Sequence, residues 1–120
     1  MANILCVDDS LVIRRLLKKI LETSGHNVTV AEDGEKAMDC VRNNHFDLIL
    51  SDVNMPNMTG TGFVSKLRRI PEYEKTPVVM VTTESDGYKK EKLKSLGASG
   101  WLRKPFTEEQ VNNILKRFFG

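Results

Sequence analysis

Four short apolar runs, each ending beside a side chain that can bind phosphate or a metal ion, limit what this chain can fold into more than any other feature. The runs cover residues 4–7, 46–50, 77–81 and 99–102, and segments with helical spacing separate them. Short apolar runs in such an alternation are typical of buried parallel strands. Residues 28–31 supply a fifth strand. The pattern therefore predicts a parallel sheet.

Apolar residues repeat at helical spacing between these runs. The clearest helix follows Ser10 and has Gly25 placed to end it, and the last helix has Thr107 and Gln110 at capping-box spacing. The apolar stripes of the five predicted helices are Ile13, Leu16, Leu17, Ile20 and Leu21; Ala37, Met38 and Val41; Phe63, Val64 and Leu67; Tyr88, Leu93 and Leu96; and Val111, Ile114, Leu115 and Phe118.

The order is five repeats of a strand followed by a helix, with no linker between them. Right-handed crossovers then give an open parallel sheet that is covered on both faces. We expect an α/β protein with a flavodoxin-like (βα)5 sheet, strand order 2-1-3-4-5 and a switch point between the first and third strands. The 120 residues suit one domain over residues 1–120.

Composition excludes several classes of protein. The 18 basic and 16 acidic residues give a formal charge of +2, which is too small to indicate nucleic-acid or membrane binding. Acidic residues interrupt the apolar start and no run reaches membrane-spanning length, so we expect a cytoplasmic protein. Cys6 and Cys40 lack metal-type spacing and are interpreted as reduced packing residues. The basic run of residues 89–94 is interpreted as a solvated helix face, with a partner surface as the alternative.

The polar residues at the strand ends predict one site. Asp8 and Asp9 follow the first run, and Asp52, Thr82 and Lys104 lie at or just past the ends of three others. Ligands of such sheets bind at the carboxyl ends of the strands, so these residues should meet at one edge. His26 and His45 precede strands and are expected in loops at the opposite edge.

Three clustered carboxylates predict a cation. Two carboxylates about 4 Å apart repel by roughly 4 kcal/mol near a protein surface, so the cluster needs a cation or raised pKa values. Mg²⁺ suits oxygen ligands, and a phosphoryl group would complete its shell. Lys104 and the hydroxyl of Thr82 would then contact the phosphoryl oxygens, and a carboxylate would accept the group as an acyl phosphate.

Each of these motifs has an ordinary explanation when it is taken alone. The segment from Asp8 to Ser10 suits a turn and helix cap, and Asp52 with Asn54 suits an Asx turn. Lys104 could be an exposed lysine, and a tryptophan such as Trp101 is more often a core residue. The joint placement of the residues at one sheet edge favours a functional site.

Four motifs belong together: Asp8-Asp9, Asp52 followed by Met55-Pro56-Asn57-Met58-Thr59-Gly60, Thr82 with Glu84, and Lys104-Pro105-Phe106. With these motifs the chain resembles the response regulator receiver family, and it closely resembles the single-domain members of CheY type. The resemblance covers the whole sequence. The spacings from Asp52, which are 82−52 = 30 to Thr82 and 104−52 = 52 to Lys104, are similar to those of the chemotaxis members.

The resemblance implies a role for each site residue. Asp52 would be the phosphoacceptor and, with Asp9 and the backbone carbonyl of Asn54, a direct Mg²⁺ ligand, while Asp8 would act through water. Lys104 would bind phosphoryl oxygens, and the peptide bond between Lys104 and Pro105 would be cis. The remaining implied roles are those of the switch residues, Thr82 and Trp101, and of residues that tune dephosphorylation, Asn54, Thr83 and Glu84. The family more often has Tyr or Phe in place of Trp101 and a small residue in place of Thr83.

The resemblance also implies partners. A histidine kinase would donate the phosphoryl group to a monomer, and the fourth helix, last strand and last helix would bind a protein target. The leading expectation for the target is the flagellar motor, and a phosphatase is another possible partner. A phosphorelay role or a phosphate sink is the alternative to motor control. No direct contact with nucleic acid is expected.

Proteins of other classes could use the same residues. An aspartyl-nucleophile metal-dependent phosphatase is disfavoured because Asn54 stands where such enzymes have a second Asp. A flavin module is disfavoured because acidic residues follow the first strand. A metal-insensitive interaction domain stays open.

Overall fold

The computed structural model describes residues 1–83 and 90–120, and its centre is a five-stranded parallel sheet. The strands are β1 (Asn3–Val7), β2 (Asn27–Ala31), β3 (Leu48–Asp52), β4 (Val78–Thr82) and β5 (Gly100–Arg103). The α-helices are α1 (Leu11–Thr23), α2 (Gly34–Asn43), α3 (Gly60–Leu67), α4 (Lys90–Ser95) and α5 (Glu108–Phe119), and a short 3₁₀ helix (Pro71–Tyr73) lies between α3 and β4.

The strand order is β2-β1-β3-β4-β5, which confirms the predicted fold. β1 pairs with both β2 and β3, and all pairings are parallel. The chain adds β2 on one side of β1 and then adds β3, β4 and β5 on the other side. The switch point therefore lies between β1 and β3. The carboxyl ends of these two strands carry the acidic residues.

Two apolar cores lie on opposite faces of the sheet. One contains residues of α2, α3 and α4 and the fully buried Tyr73, and the other contains residues of α1 and α5. Alternate residues along a strand point to opposite faces, so Leu5 and Val7 lie in the first core while Ile4 and Cys6 lie in the second. Burial on both faces explains why the strands read as continuous apolar runs.

The helix ends follow the capping signals in the sequence. Side-chain oxygens of Ser10, Asp33, Thr59 and Thr107 accept hydrogen bonds from backbone N–H groups in the first turns of α1, α2, α3 and α5. The predicted capping box of Thr107 and Gln110 is present. Gly25, just past the end of α1, has a φ of +91°, a conformation that glycine adopts at little cost.

Several details correct the sequence predictions. β3 and β4 run on through Asp52 and Thr82, so these residues end their strands instead of following them. Leu16 belongs to the predicted apolar stripe of the first helix but is 41 % exposed, and the buried residues of α1 are Leu17, Ile20 and Leu21. Trp101 is 37 % exposed, so the ordinary explanation of a tryptophan as a core residue does not apply to it. Tyr88 and Lys89 of the predicted fourth helix lie outside the described residues.

Other predictions agree with the structure. Cys6 and Cys40 are free thiols, and His26 and His45 lie outside helices and strands. Lys90, Lys92 and Lys94 of the basic run are exposed on α4. Among the described residues, the model contains no helix with both the length and the apolar character needed to cross a bilayer.

Candidate functional site

The candidate site lies at the carboxyl edge of the sheet, beside the switch point. Asp8 and Asp9 follow β1, Asp52 is the last residue of β3, and Lys104 comes directly after β5. Backbone hydrogen bonds hold two of these positions on the sheet: Asp8 N donates to the Ala31 carbonyl at 3.1 Å, and Lys104 N donates to the Thr82 carbonyl at 2.6 Å. The site is therefore built on strand ends, which fix it more firmly than loops would.

The three carboxylates and the lysine meet as the sequence predicts. Asp8, Asp9 and Asp52 each have a carboxylate oxygen within 4.8 Å of the others. Nζ of Lys104 lies 2.7 Å from Oδ2 of Asp8 and 3.4 Å from Oδ2 of Asp52. Asp8 and Asp52 are buried, at 1 % and 6 % exposure, whereas Asp9 is exposed. One ammonium group therefore faces two buried carboxylates.

The charge balance of the cluster shifts the pKa of two groups. Burial and the neighbouring Asp8 charge raise the pKa of Asp52 to about 6, against the lowering effect of Lys104. For Lys104, burial favours the neutral form, but contact with Asp8 and the charge of Asp52 outweigh burial and raise its pKa. The acidic cluster therefore lacks positive charge, and Asp52 holds its proton more tightly than an ordinary aspartate.

The donor atoms fit a hard divalent cation. All the side-chain ligands are carboxylate oxygens, which Mg²⁺ prefers. Oδ2 of Asp8 is fully buried and lies 2.7 Å from the ammonium group of Lys104. Because Lys104 also contacts Asp52, the negative charge of the three carboxylates exceeds the positive charge of this ammonium group. The residues present therefore suit Mg²⁺.

The loop between β3 and α3, residues 53–59, directly follows Asp52. Gly60 N donates to the Val53 carbonyl at 2.7 Å, which joins the two ends of this loop. A Cβ atom at Gly60 would overlap the backbone carbonyl oxygen of Asp52, so only glycine allows this close approach. Asn54, the second residue of this loop, is exposed.

Thr82 links the acidic cluster to a cleft on the neighbouring surface. It ends β4, one strand away from Asp52, and it also lines a cleft of about 470 Å³ between α4, β5 and α5. Trp101 lines the same cleft, and the Nζ of Lys90 lies 4.9 Å from the centroid of its ring. The two residues interpreted as a switch pair therefore border one cavity.

The remaining predicted site residues have these positions. Thr83 follows β4 and is half-buried, and Glu84 lies outside the described residues. The Lys104–Pro105 peptide bond is cis, as expected from the resemblance.

The contact that attaches the loop to α2 is not apparent from the sequence. Asn57 has a φ of +69° and donates a hydrogen bond from Nδ2 to Oδ2 of Asp33 at 3.2 Å. An Asp before a helix indicates a cap, and Asn tolerates a positive φ, so each residue alone has a sequence signal. Nothing in the sequence shows that these two residues meet.

Comparison with known proteins identifies the family. Residues 4–116 match the model of the response regulator receiver domain. The chain therefore belongs to the response regulator receiver family and is a component of two-component signalling.

Two curated relatives show how the domain is used elsewhere. A chemotaxis protein CheY homologue of Campylobacter jejuni is 38 % identical over 122 residues, which cover 98 % of this chain and 92 % of the relative. The histidine kinase BarA of Escherichia coli is 34 % identical over 116 residues, 97 % of this chain, but the chain spans only 13 % of that kinase.

Two solved structures share the fold. The chemotaxis response regulator CheY4 of Vibrio cholerae has a TM-score of 0.93 and 44 % identity, with 99 % of each chain covered. The receiver domain of a Pseudomonas aeruginosa sensor histidine kinase has a TM-score of 0.89 and 26 % identity, covers 98 % of this chain and 96 % of that one, and was solved with a magnesium ion coordinated in its active-site cleft. The chain is thus similar to chemotaxis receivers over nearly its whole length.

Proposed function

We propose that this member of the response regulator receiver family is a phosphorylation switch that accepts a phosphoryl group from a histidine kinase on Asp52. The observation that carries the proposal is the buried Asp52 carboxylate, which lies beside the Lys104 ammonium and within a cluster of three carboxylates. A carboxylate in this setting suits nucleophilic attack on phosphorus, because the lysine can neutralise the incoming oxygens.

The transfer exchanges one phosphorus bond for another. A carboxylate oxygen of Asp52 forms a bond to phosphorus, the bond from phosphorus to the donor imidazole nitrogen breaks, and that imidazole leaves and takes up a proton. Lys104 binds phosphoryl oxygens, which favours the transfer because the charge is compensated where it builds up. Asp52 must be ionised to attack, and the positive charge of Lys104 favours that form against burial and the Asp8 charge.

Mg²⁺ is the proposed cofactor. Asp9, Asp52 and the backbone carbonyl of Asn54 would hold it directly, and Asp8 would do so through water. When bound, the ion supplies the positive charge that the carboxylates and a phosphoryl group need. The support is the all-oxygen donor set, the excess of carboxylates over the ammonium group of Lys104, and the magnesium ion in the Pseudomonas relative.

We propose that phosphorylation changes the surface formed by α4, β5 and α5. Thr82 would turn toward the phosphoryl group and Trp101 would move into the cleft that both residues line. Asn54, Thr83 and Glu84 would set the rate at which water removes the phosphoryl group. The chain would catalyse only its own phosphorylation and dephosphorylation, without turnover of other substrates.

The proposed setting is the cytoplasm and the proposed output is a protein target, by similarity to the chemotaxis relatives. Chemotaxis is the favoured pathway, because CheY4 and the Campylobacter relative are both chemotaxis proteins, and flagellar motor control is the proposed output. A phosphorelay or a phosphate sink would use the same acceptor chemistry. Residues 1–120 would form a single receiver domain.

Phosphotransfer from a radiolabelled histidine kinase tests the proposal. We expect label to move to the wild-type chain as an acyl phosphate that hydroxylamine removes, and none to move to the Asp52→Asn variant. Asp47→Asn, which changes an aspartate on the amino-edge side of β3, is the matched control and should accept label normally. Transfer of label to the Asp52→Asn variant would contradict the assignment of Asp52 as the phosphoacceptor.

A further inference from the structure

We propose that Asp33 and Asn57 are a positioning pair that holds the β3–α3 loop in the shape needed to bind the divalent cation. The inference rests on the proposed function, in which the Asn54 carbonyl is a cation ligand. The proposed carboxylate ligands belong to or directly follow strand ends, whereas Asn54 lies in the loop of residues 53–59. The position of its carbonyl therefore depends on how that loop is held.

The two ends of the loop are fixed without this pair. Gly60 N donates to the Val53 carbonyl at 2.7 Å, and the Thr59 hydroxyl caps α3 by accepting from Gly62 N at 3.1 Å. These bonds bring the ends together but leave the middle of the loop to other contacts. The pair supplies one of them, because Asn57 donates from Nδ2 to Oδ2 of Asp33 at 3.2 Å.

Asp33 is a rigid acceptor for this bond. Its side chain is buried, and Oδ1 accepts a hydrogen bond from Lys36 N at 2.8 Å as the N-cap of α2. With one oxygen committed to the helix, the carboxylate directs its other oxygen to the loop. Asn57 therefore attaches the loop to α2 and not merely to another mobile side chain.

The backbone on both sides supports the same attachment. Asn57 has a φ of +69°, which Asn tolerates better than most residues, and it also provides the donor. A Cβ atom on Gly34, the first residue of α2, would lie 2.7 Å from Cβ of Met58, so the loop packs directly against the helix start. The loop and α2 thus form one unit.

A loop that is held in the binding shape improves cation affinity. If the loop left that shape, the apparent dissociation constant would rise in inverse proportion to the fraction of molecules that still adopt it. Outer-shell partners of metal ligands commonly change metal affinity by about 10- to 100-fold. Because the pair acts through the backbone of the loop, we expect an effect of about tenfold, at the low end of this range.

The test is a charge-swap series in the full chain, with Mg²⁺ affinity followed by NMR titration with MgCl₂. Asn57→Asp sets two carboxylates against each other and should raise the dissociation constant about tenfold. The double variant Asp33→Asn with Asn57→Asp restores a donor and an acceptor, and Asn still caps α2, so its affinity should return to within about threefold of wild type. Asn57→Gly keeps the positive φ and removes the donor without adding charge, which provides a second test if Asn57→Asp folds poorly.

Two further readouts separate positioning from general stability. The melting temperature of the cation-free protein should change little in Asn57→Gly, and phosphorylation by acetyl phosphate should recover near wild-type rates at saturating Mg²⁺. Unchanged Mg²⁺ affinity in both Asn57 variants, or no recovery in the double variant, would overturn the inference while leaving the proposed function intact. Absence of saturable Mg²⁺ binding by the wild-type chain would overturn both.

Discussion

At the scale of single residues, Asp52 has an unusual electrostatic setting because its surroundings only partly compensate its charge. Asp8 is buried next to it, and both carboxylates depend on the one ammonium group of Lys104. Burial raises the pKa of Asp52 to about 6, with the Asp8 charge as a second cause. The cation-free protein therefore carries an electrostatic cost at neutral pH that a divalent cation would remove.

This cost predicts a pH-dependent effect of Asp52→Asn on stability in the presence of a chelator. Because the folded pKa is raised above that of the unfolded chain, the ionised carboxyl destabilises the fold as pH rises from about 4 through about 6. At about pH 7.5 the variant should be more stable than wild type by about 3 kcal/mol, since the pKa rises from about 4 to about 6 and each pKa unit corresponds to about 1.4 kcal/mol, and the difference should vanish near pH 4. Urea unfolding at several pH values measures it, and a pH-independent difference would contradict the account.

Removing the counter-charge should have the opposite effect. Lys104→Met leaves Asp8 buried without its ion-pair partner, and we expect the free energy of unfolding to fall by about 2 kcal/mol at neutral pH without cation. Added Mg²⁺ should recover part of the loss. Lys18→Met, which changes an exposed lysine on α1, is the control and should change stability little. Equal stability of the two variants would argue against Lys104 as the essential counter-charge.

At the scale of elements, the site depends on close approaches between the sheet and the segments that follow its strands. α3 begins directly against the last residue of β3, because Gly60 has no Cβ to contact the Asp52 carbonyl. On the opposite edge, Arg68 joins the end of α3 to two other segments. Its guanidinium donates to the carbonyls of Tyr73, Thr76 and Gly97 at 2.6–3.2 Å.

The approach at Gly60 predicts different effects for two glycines of the same helix. Gly60→Ala should destabilise the protein by more than 2 kcal/mol, on the order of the cost of overpacking, and should slow phosphorylation of Asp52 because the strand end must move. Gly62→Ala is the matched control, since a Cβ there lies 3.2 Å from the Thr59 hydroxyl oxygen and alanine favours the helix. Thermal unfolding and the phosphorylation rate are the measurements, and similar behaviour of the two variants would contradict the packing argument.

The carbonyl contacts of Arg68 predict a second contrast. Arg68→Met should lower the free energy of unfolding by about 2–4 kcal/mol, because partly buried carbonyls lose charge-assisted hydrogen bonds. Arg69→Met, at the exposed neighbouring position, should change it by less than about 0.5 kcal/mol. Chemical denaturation of both variants distinguishes the bridging role from a general need for positive charge.

At the scale of the whole molecule, the proposed switch must connect the acidic edge to the surface of α4, β5 and α5. Thr82 and Trp101 line the same cleft, and Trp101 is 37 % exposed beside Lys90. A phosphoryl group shifts this surface only if the two arrangements differ in their interactions with it. The hydroxyl of Thr82 supplies such a difference if it contacts the phosphoryl group in one arrangement alone.

Trp101 is the single tryptophan, so its fluorescence reports this connection. On phosphorylation we expect iodide quenching to decrease and emission to shift to shorter wavelength, because the indole moves into the cleft. Thr82→Ala should accept phosphate with a much smaller spectral change. Identical changes in wild type and Thr82→Ala would show that the signal does not pass through Thr82.

The sequence predicted the sheet order and the meeting of Asp8, Asp9, Asp52 and Lys104, because strand polarity places all of these residues at one edge. It did not predict the cleft that Trp101 lines, because the shape of this cleft depends on how α4, β5 and α5 are placed relative to one another. The contact of Asn57 with Asp33 was also unpredictable, because loop conformation and helix position determine it jointly. The positions of residues at strand ends could therefore be predicted from the sequence, because strand direction determines them. Contacts that depend on how loops and helices pack could not.

The most direct test of the central claim is the intact mass of the chain after incubation with a small acyl-phosphate donor, with and without Mg²⁺. The account predicts addition of one phosphoryl group that requires Mg²⁺ and is absent in Asp52→Asn. Addition to the Asp52→Asn variant, or no addition to the wild-type chain under any condition, would contradict it.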